Sequence, residues 1–187
     1  MEFDEFHSQL TNVMSKYRKV YPYYQESENR FLMPAEPEQL PEFAGLLNVE
    51  LPEDFISFYS NCAGLLLANV GNSILLYPLK MIMDAINHSY IPVYMESDPP
   101  IRMVPFGWDV GGNMLAIIPD KQNGIYYFQH ELFDNIDGML MYSNDRLKPK
   151  RVADTFSEFL DAVLEDARAY LEQRPGWKYL DDGLYGA

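Results

Sequence analysis

Apolar residues recur at Phe3, Phe6, Leu10, Val13, Met14 and Tyr17. Steps of three and four mark one face of an amphipathic helix, expected over residues 3–19. "YPYYQ" breaks the pattern. From Ser27 to Glu50 the chain carries Pro34, Pro37 and Pro41 and much acid, and reads as an irregular connection with a short helical turn around Pro41 to Leu47. "LPEDFISFYSNCAG" then signals a second helix. Pro52 suits a first helical position, and Glu53 and Asp54 sit where the helix dipole favours negative charge. Phe55, Ile56, Phe58, Tyr59 and Cys62 form its stripe, and Gly64 reads as its stop.

"GNSILLYPL" is a short strand behind a Gly-Asn turn, and Leu79, Ile82, Met83 and Ile86 predict another helix, ending near His88 to Ile91. "PVYMESDPP" reads as a loop. Strands follow at Arg102 to Phe106, Asn113 to Ile118 and Ile125 to Gln129, joined by "GWDVGG" and "PDKQNG". Asn123-Gly124 fits a tight hairpin. Thr155 with Glu158 makes a capping box, and Phe156, Phe159, Leu160, Val163, Leu164 and Ala167 continue a long helix that Pro175-Gly176 ends. Residues 175–187 form an aromatic tail. Consecutive strands on short turns predict an antiparallel β-meander with helices packed on one side: an α+β fold in a single domain, residues 1–187.

Composition narrows function. With 187 residues and 48% hydrophobic positions the chain can bury a sizeable core. No apolar run approaches a membrane span, and the acidic N-terminus lacks the pattern of a signal peptide, so a soluble cytoplasmic protein is expected. The single cysteine, Cys62, excludes an internal disulfide and reads as a buried, inert thiol. A net charge of −14 argues against nucleic-acid binding. Glu26, Glu28, Glu36, Glu38, Glu42, Glu50, Glu53 and Asp54 face Arg30 alone in their stretch. This is either a solvated face or a field steering toward a basic partner. The basic cluster "RLKPKR", Arg146 to Arg151, is too small for a nucleic-acid footprint and reads as neutralising nearby acid.

Val104 to Glu131, "VPFGWDVGGNMLAIIPDKQNGIYYFQHE", admits two readings. A catalytic one would make His130 a base oriented by Glu131, with Asp109 and Asn113 beside a glycine-lined loop. Neighbours on a strand point to opposite faces, which argues against that dyad. The stretch has no Walker A pattern, and His7, His88 and His130 have no metal-type spacing. We therefore expect no catalysis, metal or cofactor. In the other reading Gly107, Gly111 and Gly112 shape a turn, with Trp108 and Asp109 at its tip. Trp108 then either packs on a neighbouring helix or anchors a partner.

The order of motifs resembles the SUKH superfamily, the Smi/Knr-like domain. "LPEDFISFYSNCAG" resembles its Leu-Pro-x-Asp helix with an Asn-x-x-Gly close, and "LYPLKMI" its strand-to-helix element. "VPFGWDVGGNMLAI" is similar to its strand-turn-strand, "GIYYFQHE" to the following strand, and "VADTFSEFLDAVLE" to its closing helix. The likeness spans residues 40–170. One departure is that Trp108 and Trp177 both lie outside the segment before "LPEDF" where the family often places a tryptophan. The resemblance implies an α+β fold, no fixed catalytic residues and a protein partner. Many bacterial members are immunity proteins that bind and neutralise a toxin domain; fungal members regulate cell-wall signalling. Compact size suits the bacterial kind. A basic toxin encoded nearby is then the expected partner, and an endogenous one the alternative. Glu36, Glu38, Glu42, Trp108 and Asp109 are the candidate partner-binding residues.

Overall fold

A computed structural model describes residues 2–22, 29–71, 73–136, 138–143 and 148–180. Glu26 and Glu28 of the acidic stretch, Asn72 of the Gly-Asn turn, Arg146 of the basic cluster and the end of the aromatic tail lie outside the described residues.

The elements run α1 (Phe3–Val20), β1 (Asn29–Phe31), α2 (Gln39–Leu47), α3 (Glu53–Asn61), β2 (Leu65–Leu67), β3 (Leu75–Leu76), α4 (Leu79–Asn87), β4 (Tyr94–Met95), β5 (Ile101–Arg102), β6 (Val104–Trp108), β7 (Met114–Ile118), β8 (Gly124–Phe128), β9 (Phe133–Ile136), β10 (Met139–Tyr142), β11 (Lys150–Ala153) and α5 (Phe156–Glu172). Seven strands form an antiparallel sheet in the order β1-β2-β3-β6-β7-β8-β11. The meander β6-β7-β8 lies near its centre. The fold is α+β, as the hydrophobic pattern predicts.

Strand periodicity sorts the core into two parts. Phe106, Leu115, Ile117, Ile125 and Tyr127 face the helices, where all five contribute buried side chains: Phe6 and Leu10 from α1, Phe43 from α2, Phe55 and Phe58 from α3, Ile82 from α4, Phe159 and Val163 from α5. Phe106 and Phe156 meet edge-to-face with ring centroids 5.2 Å apart, a preferred aromatic geometry. The alternate residues Met114, Ala116, Ile118, Tyr126 and Phe128 face the other way, into a smaller core with Met95, Met103, Leu132 and Tyr142. That core is roofed by a second sheet, β5-β4-β10-β9, in which β10 pairs parallel to β4 and antiparallel to β9. This roof is absent from the sequence-based expectation. "PVYMESDPP" contributes β4 rather than only a loop.

Local expectations differ in detail from the structure. The irregular stretch after α1 holds the strand β1 and a full helix, α2. Between β7 and β8 the chain makes a single 3-10 turn at Pro119–Lys121; the left-handed residues are Gln122 and Asn123, and Gly124 already belongs to the strand. The Thr155 cap is present, accepting from Glu158 N at 3.1 Å. α5 ends at Glu172, capped by left-handed Gln173, ahead of Pro175-Gly176. The chain then folds back onto α5. Buried Asp166 accepts from Trp177 Nε1 at 2.9 Å and from Leu180 N at 3.0 Å. Cys62 is buried, and desolvation pushes its thiol pKa up despite hydrogen bonds that lower it. Among the described residues no helix is long and apolar enough to cross a membrane.

Candidate protein-binding surface

The "GWDVGGN" segment folds around one carboxylate. Asp109 ends the pairing of β6, and its backbone N–H donates to Asn113 O at 3.0 Å while its own carbonyl accepts from Gly112 N at 3.2 Å. Its Oδ1 accepts from Asn113 N at 2.9 Å; its Oδ2 accepts from Asn113 Nδ2 at 2.8 Å and from the Tyr127 hydroxyl at 2.7 Å. The group is buried and satisfied. Asn113, fully buried, extends the network, since its Oδ1 accepts from His130 N at 3.3 Å. Asp109 therefore builds the turn between β6 and β7, and the exposed tip is Val110, Gly111 and Gly112.

Only one glycine here needs left-handed backbone. Gly112 has φ +87°, whereas Gly111 does not, and Gly107 lies within β6 beside a register shift. At Gly107 the constraint is close approach: a Cβ would lie 2.8 Å from Leu76 Cδ2 and 2.9 Å from Leu75 O. Gly112→Val is expected to destabilise by about 1 kcal/mol or more, because branched side chains resist positive φ. A fall in the urea midpoint at unchanged slope checks this, and Gly111→Val should cost less.

His130 and Glu131 are not on a strand. β8 stops at Phe128, and both residues lie in a single 3-10 turn, His130–Leu132. The alternation argument does not apply to them: His130 Nδ1 comes to 3.8 Å from Glu131 Oε2. The pair is half-exposed, and Asp109 is committed elsewhere, to Asn113 and Tyr127. Among the described residues no group of three or more His, Cys, Asp or Glu could hold a metal ion.

Trp108, the last residue of β6, is half-buried and packs against Tyr77 with ring centroids 5.4 Å apart. The two rings, Met81 and Ala85 of α4, Ile91 and Val110 line an open cleft of about 550 Å³. Met81 is 55% and Val110 67% exposed, so apolar surface faces solvent on both sides of it. Packing and exposure thus coexist at Trp108. Its partners are helix α4 and the strand end, rather than a free hairpin tip.

The acidic candidates lie one helix away. Glu36 and Glu38 precede α2 and Glu42 stands in its first turn; all three are exposed. α2 packs against α4, the helix that walls the cleft. Glu50 and Glu53 are exposed as well. Asp54 serves the fold instead, accepting from Phe55 N at 2.9 Å and from Ser157 N at 2.8 Å in the first turn of α5. In the basic cluster, Arg151 Nη2 pairs with Asp154 Oδ1 at 2.9 Å and Lys150 Nζ donates to Leu180 O at 2.8 Å, so these cations serve nearby groups of the same chain.

The family model described as SMI1 / KNR4 family (SUKH-1) matches residues 34–162. The chain belongs to the SUKH-1 family. The match runs from the approach to α2 into α5 and includes the whole sheet from β2 onward, with the Trp108 cleft and Glu36, Glu38 and Glu42. α1, although it supplies Phe6, Leu10 and Tyr17 to the core, precedes the SUKH-1 segment. No curated protein matches the chain.

Proposed function

We propose that this SUKH-1 protein is a non-enzymatic, cytoplasmic binding module of the immunity type, which binds a basic toxin domain and blocks it. The observation that carries the reading is the SUKH-1 match over residues 34–162. Two features support it. The chain's net charge of −14 suits a partner whose own surface is basic, as a nuclease toxin's is. Glu36, Glu38 and Glu42 present exposed acid at and before α2, the helix packed against the α4 wall of an open apolar cleft, which supplies a steering field and an anchor site on one molecule. The buried, fully bonded Asp109 also fits a role in shaping this surface better than one in proton transfer.

The direct test is co-production with the toxin encoded by an adjacent gene. The two proteins should co-purify, and the growth of cells making the toxin should be restored. Capture of an endogenous partner, with no protection, would transfer the protein to the regulatory class. Once a complex is in hand, its association rate should fall steeply with salt while dissociation changes less. Reversing Glu36, Glu38 and Glu42 to Lys together should slow association about tenfold or more at low salt. Trp108→Ala should act on dissociation, at a cost of about 2 kcal/mol. A salt-independent association rate, unchanged in the triple variant, would remove the acidic face from the interface.

A further inference from the structure

The cleft between α4 and the β6–β7 turn is an apolar feature that the described residues leave open to solvent. Its volume of about 550 Å³ falls within the range of ligand-binding pockets, roughly 300–1,000 Å³. Its floor is rigid. Trp108 is held between Leu75 and Met114 by strand pairing, and the turn beneath Val110 is fixed by the Asp109 network. A preformed apolar pocket saves a binding partner part of the ordering cost of association.

The charges around it select among occupants. Asp84 lies three residues after Met81, on the adjoining part of the same helix face, and is exposed. Lys80, the cation of α4, precedes Asp84 by four residues on the same side of the helix, about 100° from Met81 and thus farther round from the cleft than Asp84. On the turn side, a Cβ on Gly112 would lie 3.7 Å from His130 Cγ, and Glu131 follows with its carboxylate 3.8 Å from the His130 ring. Beyond α4 stands α2 with Glu38 and Glu42. An apolar floor with Asp84 on one flank and Glu131 near the other complements a bulky apolar side chain carried between cations. An acidic segment would be repelled, and a second copy of this chain would bring its own negative field.

We infer that the Trp108 cleft is an anchor pocket for a peptide segment of the partner in which adjacent bulky apolar residues are flanked by Lys or Arg. The inference deepens the proposed function and rests on it for the partner's identity, while the pocket's preference is measurable alone. The probes are three synthetic hexapeptides: Lys-Lys-Phe-Leu-Lys-Lys, its Ala-Ala counterpart with the same lysines, and Glu-Glu-Phe-Leu-Glu-Glu. Indole N–H resonances in heteronuclear NMR report binding. Trp177, hydrogen-bonded to Asp166 of α5, is the internal control.

The lysine-flanked Phe-Leu peptide should shift the Trp108 indole saturably at millimolar concentration and leave Trp177 in place. The alanine and glutamate peptides should bind at least fivefold more weakly. Ala85→Tyr, which fills the cleft, should abolish the response, and Asp84→Lys should weaken it several-fold; unchanged Trp177 resonances verify the fold of both. No saturable shift at Trp108, or equal binding of the glutamate peptide, would overturn the inference. So would a dimer in sedimentation that Ala85→Tyr dissolves, which would give the cleft to a second copy. If Ala85→Tyr loses the peptide yet still neutralises a cognate toxin, the cleft is not the toxin's anchor and the proposed function stands. If the peptide binds and no toxin is neutralised, the proposed function falls and the pocket's preference remains.

Discussion

Gly64→Ala is expected to be among the most damaging single-methyl additions to this protein, at about 3 kcal/mol. Gly64 follows α3, is buried, and offers its carbonyl to Leu32 N at 2.9 Å. A Cβ there would fall on the carbonyl oxygen of Leu76 and lie 3.2 Å from Leu32 Cδ1. The obstacle is backbone of a paired strand, so relief requires moving β3 away from β2. The urea midpoint should drop with little change in slope, and Tm by roughly 6–12 °C for a chain of this size. Gly45→Ala supplies the opposite sign. It lies within α2 with nothing within 4 Å of the added methyl, and should stabilise by about 0.5–1 kcal/mol. A Gly64→Ala variant as stable as the parent would show that β2 and β3 are not packed as described.

Asp109→Ala should cost a comparable amount, about 3 kcal/mol. The change removes one acceptor group and leaves three donors without it: Asn113 N, Asn113 Nδ2 and the Tyr127 hydroxyl. Buried donors stripped of a partner lose about 1–3 kcal/mol each before relaxation. Asp109→Asn keeps one acceptor but turns an amide toward the donors, and should cost less. Equilibrium unfolding separates the two roles assigned to this residue. A surface contact could be removed with stability intact, whereas the keystone of a turn could not. Trp108 sits next door, so the alanine variant should also loosen the cleft and weaken peptide binding there.

The helices are legible in the sequence because their periodicities are long enough to be unambiguous, and the central meander because its short apolar runs are bounded by Gly-, Asn- and Pro-containing turns. Phe3 to Tyr17 and Phe156 to Ala167 repeat the helical step over several turns. The roof of the second core is not legible. β4 and β5 have two residues each, too few to show alternation, and they exist as strands through pairing with each other and with β10. Residues 114–118 and 124–128 are buried throughout, so the alternation that would have announced one exposed face was never there. His130 and Glu131 were misplaced because a strand ending in a polar pair looks the same, in one dimension, as a strand followed by a 3-10 turn. At the candidate surface, Trp108 and the exposed glutamates were readable as residue types. The cleft was not, since its walls come from α4 and the end of β6, which meet only in the folded chain. Asp109 marks the same limit: its carboxylate is consumed by Tyr127, 18 positions away.

The two-sided cover of the meander has a consequence for how this protein could change allegiance. With helices on one face and the second sheet on the other, β6, β7 and β8 offer no broad face to a partner. Recognition is left to the margin: helix flanks, turns and the lips of the cleft. Residues there, such as Glu36, Glu42, Met81 and Val110, can be exchanged without disturbing the packing beneath them. If the protein binds a toxin as proposed, the specificity of its surface can thus drift over a chassis that stays in place, and a toxin that alters its own surface can be followed by substitutions at a few marginal positions.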